Sequence, residues 1–151
     1  IALVVMGGDA TAIATAIASK KSPGTGTYGT TTEVITDQNG VPDTINFFTP
    51  TGERILADIT IQPLTGYVST TGTAIIDAVA AYVNSLPIGA DVYLSKVETA
   101  ANLNNGPLSS TFNVTSVTIA ISPDSPGSSD LTIAFNEIAQ LAISDVSLTV
   151  L

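Results

Sequence analysis

The chain has 151 residues, with thirteen acids against four bases, a net charge of −9 and neither cysteine nor histidine. The four cations (Lys20, Lys21, Arg54 and Lys96) are too few to neutralise a run of phosphates, which argues against nucleic acid and against an anionic membrane as partners. Without cysteine and histidine the chain has no disulfide, thiolate nucleophile or Ser-His-Asp triad, so we expect no enzymatic activity and no cofactor.

Charged residues make up only 11% of the chain, whereas an average soluble domain has about 25%. A surface this poor in charge suits burial against neighbouring proteins, although an ordinary neutral surface has the same composition. No apolar stretch is long enough to span a membrane. Residues 1–6 are too short and lack the basic residues for a signal peptide. Because the chain starts at isoleucine, we expect it to be a piece of a longer protein.

The first part of the chain predicts a strand, a helix and a hairpin. The predicted elements are strand 2–6, helix 9–20, strand 31–37 and strand 41–48. Asp9 is placed to cap the helix, and a glycine-studded loop, residues 22–29, follows it. Asn39-Gly40, between the two strand patterns, is the strongest short-range hairpin signal that a sequence offers.

The second part predicts a longer set of elements. They are strand 53–62, helix 74–86, helix 92–103, strand 112–121, strand 131–135 and strand 146–151. We expect Thr73 or a neighbour to cap the first of these helices, and Asp91 to cap the second. The alternation of strand 112–121 slips near Thr115-Ser116, which indicates a β-bulge.

Apolar spacing also predicts which side chains face the core. The residues expected to point inward are Ile55, Ala57, Ile59 and Ile61 on the strand, Ile76, Val79, Val83 and Leu86 on the first helix, and Tyr93, Val97, Ala100 and Ala101 on the second. Residues 49–52 are expected to form a polar turn between two domains, 1–52 and 53–151. The predicted fold class is α+β, with two small domains, each a mixed or antiparallel sheet with one or two helices packed on one face.

Several segments have a partial likeness to chemical sites. The loop with Gly24, Gly26 and Gly29 follows a helix and leads into a strand, the reverse of a phosphate-binding loop, so we interpret it as a shaped connector. Residues 124–130 resemble a loose calcium loop but lack its bidentate acid, which favours a solvated loop. Asn113-Val114-Thr115 fits a glycosylation acceptor but falls within a predicted strand. Glu137 interrupts two apolar runs and, if buried, would need a partner such as Lys96 or Arg54; a plain polar turn is the alternative.

An ordered series of motifs resembles the baseplate J-like family, the wedge components of contractile phage tails and of related contractile injection machines. The matching segments are Gly7-Gly8-Asp9, the loop 21–29, the hairpin 34–48 with its turn at 37–42, and the segments 81–93 and 135–141. They span nearly the whole chain in the family's order and spacing. The resemblance implies that the chain corresponds to the middle and C-terminal portion of the family, without the family's N-terminal portion.

The resemblance implies a structural role in a tail baseplate. It implies a wedge subunit that assembles around the tail tube, contacts copies of itself or a paralogue and the next wedge subunit, and takes part in the switch that triggers sheath contraction. The implied location is the virion, after assembly in the bacterial host cytoplasm. We predict Tyr28 and Tyr67 as contact residues, because each is an aromatic residue beside glycine in a loop, where a large side chain is expected to be exposed.

Two other functions stay open on the sequence. A sugar-binding or adhesive module of a tail fibre or secreted protein predicts a groove with exposed aromatic rings and calcium at residues 124–130. A hydrolase with two carboxylates predicts a cleft in which one acid has a strongly shifted pKa.

Overall fold

The computed structural model describes residues 1–37 and 39–151, and it divides into two compact units, Ile1–Thr51 and Gly52–Leu151. We call them the N-terminal unit and the C-terminal unit. Each combines strands with at least one helix, so the α+β fold class predicted from the sequence is confirmed. The division falls at the segment 49–52, but Thr51 and Gly52 already belong to a strand and do not form the predicted turn.

The N-terminal unit consists of helix α1 (Ala10–Lys20) packed on a hairpin of strands β1 (Thr31–Thr36) and β2 (Pro42–Phe47). Asp9 caps α1 as predicted, because its Oδ2 accepts a hydrogen bond from the backbone N–H of Ala12 at 2.9 Å. The core of this unit consists of four buried side chains, Ala14, Ile17, Ile45 and Phe47.

The hairpin turn is held by Asp37. Its carbonyl accepts from the N–H of Gly40 at 3.0 Å, and its Oδ1 accepts from the N–H groups of Asn39 and Val41, each at 2.8 Å. These two backbone donors lower the pKa of Asp37 below its usual value. Gly40 has a φ of +80°, the left-handed conformation that glycine adopts without strain. The part of the predicted turn that falls on Gln38 lies outside the described residues.

The predicted strand at residues 2–6 is wrong as a strand. Ala2 makes an isolated parallel bridge to Tyr28, and Val4 makes another to Phe48. The segment thus makes one bridge to each of two different partners and does not form a continuous ladder with either.

The C-terminal unit contains strands β3 (Thr51–Pro63), β4 (Phe112–Ile121), β5 (Glu137–Gln140) and β6 (Val146–Val150), with helices α2 (Ser69–Asn84) and α3 (Leu94–Ala101); only the first residue of β3 belongs to the N-terminal unit. The strand β3 is central: β4 pairs with it antiparallel, and β6 pairs with it parallel on the opposite side. Its inward residues Ile55, Ala57, Ile59 and Ile61 are all buried, as the alternation predicts.

The predicted bulge in β4 is confirmed. The register places Thr60 opposite Ser116 and Ile61 opposite Val114, so Thr115 is the extra residue. The Thr115 Oγ1 donates to the carbonyl of Thr60 at 3.0 Å, which pins the bulge to the central strand.

Helix α2 begins at Ser69, before the predicted start, and neither Thr73 nor a neighbour caps it. The N-cap is Val68, which has no side-chain capping bond. Thr71 and Gly72 are buried in its first turns, so packing against the core compensates for a sequence that has weak helix propensity. Along the helix Val79 and Val83 are buried as predicted, whereas Ile76 and Leu86 are only partly buried.

Asp91 does not cap α3, contrary to the prediction. Its Oδ1 accepts from the N–H of Ile133 at 2.9 Å, while the Oδ1 of Asp130 accepts from the N–H of Leu94 at 2.8 Å. The two aspartates therefore tie the start of α3 to the segment 130–133. Tyr93, predicted to face inward, is 50% exposed.

The last two elements before β6 also differ from the prediction. Residues 131–135 make a single bridge, between Leu131 and Val92, and the strand is instead β5 at Glu137–Gln140. Because the Asp91 carboxylate binds the N–H of Ile133, that donor is not available to a strand ladder.

Candidate interaction surfaces

The loop that carries Tyr28 is fixed to the rest of the N-terminal unit. The Tyr28 N–H donates to the carbonyl of Ile1 at 2.9 Å, and the buried Thr27 accepts the Asn46 N–H on its Oγ1 at 2.8 Å. The Asn46 Nδ2 also donates to the Thr27 carbonyl at 3.2 Å. With its backbone held in this way, the Tyr28 ring is 69% exposed, so the loop presents a large aromatic side chain on a fixed support.

Gly29 explains why this loop needs glycine. A Cβ at this position would overlap the backbone of Phe47, at a separation shorter than the 3.0 Å that real Cβ atoms respect. By contrast, Gly24 and Gly26 have no atom within 4 Å of a Cβ position. Packing therefore requires glycine at one of the three positions, Gly29, which fits the interpretation of the loop as a shaped connector.

Tyr67 lies in a different environment. Its N–H donates to the carbonyl of Leu64 at 3.1 Å, and its ring is half-buried against the core of the C-terminal unit. The ring passes over Gly72, where a Cβ would lie 2.8 Å from the Tyr67 Oη. The expectation of an exposed ring holds for Tyr28 but not for Tyr67, and the role of either as a contact residue stays a prediction.

An apolar groove of about 370 Å³ lies beside α1 in the N-terminal unit. Its lining residues are Ile1, Leu3, Ala16, Ile17, Lys20 and Lys21. The Lys21 side chain, 11% exposed, forms an ion pair with Asp43 at 3.0 Å, which ties the end of α1 to β2. This groove offers apolar walls with a basic residue, Lys20, at one end.

A second groove, of about 450 Å³, follows the glycine loop and bears on phosphate binding. Its lining includes Gly24 and Gly26 but also the acids Asp37 and Asp43. Because Lys21 is already paired with Asp43, the surroundings of the loop are unfavourable to an anion.

The charged residues of the C-terminal unit pair differently from the sequence prediction. Arg54 binds Asp145 with two hydrogen bonds, the one from Nε at 2.8 Å, and so is not the partner of Glu137. Glu137 instead accepts the N–H of Ala134 on its Oε2 at 2.9 Å. The hydrogen bonds between Arg54 and Asp145 lower the pKa of the Asp145 carboxyl and raise the pKa of the Arg54 guanidinium.

Other chemical sites considered on the sequence receive no further support. Among residues 1–37 and 39–151, no group of three or more acids is placed to hold a metal ion, and Asp130 of the calcium-like segment is bound to the start of α3. Asn113 lies on β4, beside the bulge. Over the same described ranges, no helix combines the length and apolarity needed to cross a bilayer.

Sequence reasoning missed several exposed apolar side chains. Met6, Val34, Phe135 and Ile143 are each at least 60% exposed. Val34 had a detectable signal, because alternation along β1 places it between Thr32 and Thr36 on the outer face. Phe135 had no such signal of exposure, because the sequence placed it in a predicted strand, 131–135, that does not form.

The chain matches no protein-family model and no curated protein. What the described residues offer is therefore a set of surfaces: an exposed tyrosine on a fixed loop, an apolar groove beside α1, and dispersed exposed apolar side chains. Such features suit contacts with other proteins.

Proposed function

We propose that the chain is a structural, non-enzymatic subunit of a contractile-tail baseplate wedge, related to the baseplate J-like proteins. In this role it binds other wedge subunits and copies of itself or a paralogue around the tail tube, and takes part in the switch that triggers sheath contraction. Its location is the tail baseplate of the virion, after assembly in the bacterial cytoplasm. The observation that carries the proposal is the ordered series of motifs that runs from Gly7-Gly8-Asp9 to the segment 135–141.

The positions that these motif residues occupy support the proposal. Asp9 caps α1, Gly29 allows the loop to approach Phe47, and Asp37 with Gly40 forms the hairpin turn. Each residue meets a specific requirement of the N-terminal unit, so the motifs together specify one local fold. A shared string of such residues is a better guide to a shared fold than any one glycine loop.

The surfaces are also of the kind that assembly needs. Aromatic residues are enriched in protein interfaces, and the strongest contacts use large side chains on fixed supports. Tyr28 meets this description, since its ring is 69% exposed, its N–H donates to the Ile1 carbonyl, and the preceding Thr27 accepts the Asn46 N–H on its Oγ1.

The proposal is tested by affinity capture from a lysate that is producing contractile tails, with the tagged protein and mass spectrometry. We expect recovery of tube, sheath or wedge proteins. Recovery of none of them, with the protein released as a soluble monomer, would overturn the proposal and reopen the sugar-binding and hydrolase alternatives.

A pair of variants locates the contact. Tyr28→Ser removes an exposed ring without touching the backbone bonds of the loop, and we expect it to lower recovery of the captured tail proteins. Tyr93→Ser is the matched control, since Tyr93 is also an exposed tyrosine, 50% accessible, at the start of α3. Equal recovery with both variants would show that Tyr28 is not a specific contact.

A further inference from the structure

The outer edge of β1 has no strand beside it among the described residues. The strand pairs with β2 on one side, and no backbone bond from Thr32, Val34 or Thr36 reaches another part of residues 1–37 and 39–151. Natural proteins usually protect such an edge with proline, lysine, a bulge or a covering segment. The sequence of β1, TTEVIT, contains neither proline nor lysine, and its register with β2 is unbroken. Its one charged residue, Glu33, lies toward α1, where its Oε2 is 3.4 Å from the Thr11 Oγ1, and its backbone faces β2 and not the open edge.

The hairpin turn shows which backbone groups point outward. The N–H of Asp37 donates to the carbonyl of Val41 at 2.9 Å, so residue 37 directs its backbone toward β2. In an antiparallel pair the direction alternates along the strand. The N–H and C=O groups of Thr32, Val34 and Thr36 therefore point away from β2, toward the open edge.

The opposite edge of the hairpin, on β2, is protected. Pro42 has no N–H, the Asn46 N–H donates to Thr27 Oγ1, and the N–H of Phe48 donates to the carbonyl of Leu3 at 2.8 Å. Because the β2 edge is protected and the β1 edge is not, we interpret the open edge of β1 as a site that pairs with another strand.

We propose that β1 pairs antiparallel with β1 of a second copy of this chain, about a two-fold axis at Val34. Val34 then faces Val34 of the second copy, and Thr32 faces its Thr36. Every outward N–H and C=O finds a partner, and three donors on each strand give about six hydrogen bonds. The two-fold axis makes the contacts of the two strands identical, because each contact of residue i with residue j occurs twice.

The charges are compatible with this pairing. Glu33 lies opposite Ile35 of the second copy and Asp37 lies opposite its Thr31, so no two acids are directly opposed. Each copy nevertheless carries a net charge of −9, and this repulsion is screened by salt. We therefore expect the association to strengthen as ionic strength rises.

The flank of α1 beside this edge leaves room for the second copy. The Thr11 Oγ1 lies 3.4 Å from Glu33 Oε2, which places the Thr11 side of the helix toward β1. Thr15 and Ala18 share that flank by helical spacing, and all three side chains are small and uncharged. With strands about 4.8 Å apart and α1 lying over β1 and β2, the two helices approach to about 10 Å. That separation is at the upper end of ordinary helix packing, about 8–10 Å.

Such a pair would supply one contact between copies of the chain in the proposed baseplate. The pairing itself is argued from the strand edge, and only its place in a baseplate rests on the proposed function. One strand edge and one helix flank bury less than the roughly 1,600 Å² of a standard interface. We therefore expect the full chain to form a weak dimer in solution, which neighbouring subunits would reinforce.

Cysteine substitution tests the pairing directly, because the chain has no cysteine of its own. In the dimer the two Val34 Cα atoms lie about 5.5 Å apart, within the disulfide Cα range of about 4.4–6.8 Å, and the two Cβ atoms must approach by about 1 Å to form the bond. Thr44 is directly opposite Val34 on β2, and its two copies lie about 14 Å apart, three strand spacings. We expect the Val34→Cys protein to form a disulfide-linked dimer at least about tenfold faster than the Thr44→Cys protein under mild oxidation. Equal rates would overturn the proposal.

Sedimentation of the full chain provides a second test. Val34→Lys places like charges opposite one another at the axis, and we expect it to weaken dimerisation at least about tenfold. Thr44→Lys adds the same charge on the protected strand and should leave the dimerisation constant within about twofold. Equal effects of the two variants, or a wild-type chain that is monomeric at millimolar concentration, would overturn the pairing.

The outcome is separable from that of the proposed function. Undiminished capture of tail proteins by a chain whose β1 does not self-pair would overturn the pairing alone. Specific cross-linking through Val34→Cys without capture of any tail protein would overturn the baseplate role and leave the pairing in place.

Discussion

Replacing Gly29 by alanine perturbs the N-terminal unit at the point where the Tyr28 loop meets β2. The added methyl group would overlap the carbonyl carbon, the oxygen and the Cα of Phe47. All three are backbone atoms, so a change of rotamer cannot relieve the overlap. Either the loop or the end of β2 must move, and Phe47 is one of four buried side chains in this unit.

The expected cost is large relative to the stability of the unit. Overpacking typically costs about 1–3 kcal/mol, and a clash with backbone belongs at the upper end of that range. A unit of 51 residues has a free energy of unfolding of about 3–8 kcal/mol at the usual 0.05–0.15 kcal/mol per residue. We therefore expect Gly29→Ala to remove about 3 kcal/mol, a third or more of the total.

Gly26→Ala is the matched control in the same loop. A Cβ at Gly26 has no neighbour within 4 Å, and its φ is not in the left-handed region. Alanine at such a site stabilises a protein by about 0.4–1 kcal/mol, because it restricts the unfolded chain. The two substitutions are chemically identical and should change stability in opposite directions.

The assay is urea unfolding followed by the amide NMR signals of each unit separately. With a urea dependence of about 1 kcal/mol/M for a unit of this size, Gly29→Ala should lower the midpoint of the N-terminal unit by about 3 M, or leave the unit unfolded in water. The signals of Gly26→Ala should report a midpoint equal to or above that of the wild type. Two variants with the same midpoint would refute the reasoning from the Gly29–Phe47 contact.

Three further substitutions are checked by the same urea titrations. Thr71 is 1% exposed and its hydroxyl has no hydrogen-bond partner in the described part of the chain, so Thr71→Val should stabilise the C-terminal unit by about 1 kcal/mol; a loss would show a partner for the hydroxyl. Arg54 lowers the pKa of Asp145 below its usual 3.8, so this pair stabilises the folded state above about pH 4 and its contribution is lost as the pH falls through the folded-state pKa. Asp145→Asn should therefore lower the free energy of unfolding at pH 7 and make that free energy fall less steeply as the pH drops below about 4. An unchanged dependence on pH below about 4 would contradict this contribution of the pair. Asp9→Ala removes the cap of α1 and should cost the N-terminal unit about 1 kcal/mol, which an unchanged midpoint would contradict.

The elements that sequence reasoning located well are those specified by neighbouring residues. Strand β3 was found because a half-buried strand alternates in sequence, and the hairpin because Asn39-Gly40 turns the chain locally. The Asp9 cap lies within one helical turn of its donor. In each case the partners are a few residues apart, so the pattern contains the whole interaction.

The elements that were missed depend on distant residues. The aspartate that binds the start of α3 is Asp130, not the adjacent Asp91, and its hydrogen bond to the Leu94 N–H joins residues 36 positions apart. Strand β5 forms because β3 supplies a partner, although Glu137–Gln140 has no strong strand pattern.

The surfaces were predicted less well than the fold, for a similar reason. Tyr28 and Tyr67 have the same signal, an aromatic residue beside glycine in a loop. The Tyr67 ring lies over Gly72, where a Cβ would come within 2.8 Å of its Oη, whereas the Tyr28 ring is 69% exposed on a loop whose backbone is bound to Ile1. The direction of a loop side chain is set by what packs beneath it, which the local sequence does not contain.

The parallel pairing of β6 with β3 has a consequence for biosynthesis. Ala57 pairs with Val146, a separation of 146 − 57 = 89 residues, so the sheet of the C-terminal unit is completed only after its last strand has been translated. Pairings in the N-terminal unit span far fewer residues, and contacts close in sequence form faster. On the ribosome, the N-terminal unit can therefore fold while the isoleucine-rich face of β3 still lacks part of its sheet. A nascent chain in this state exposes an apolar strand that is prone to aggregate.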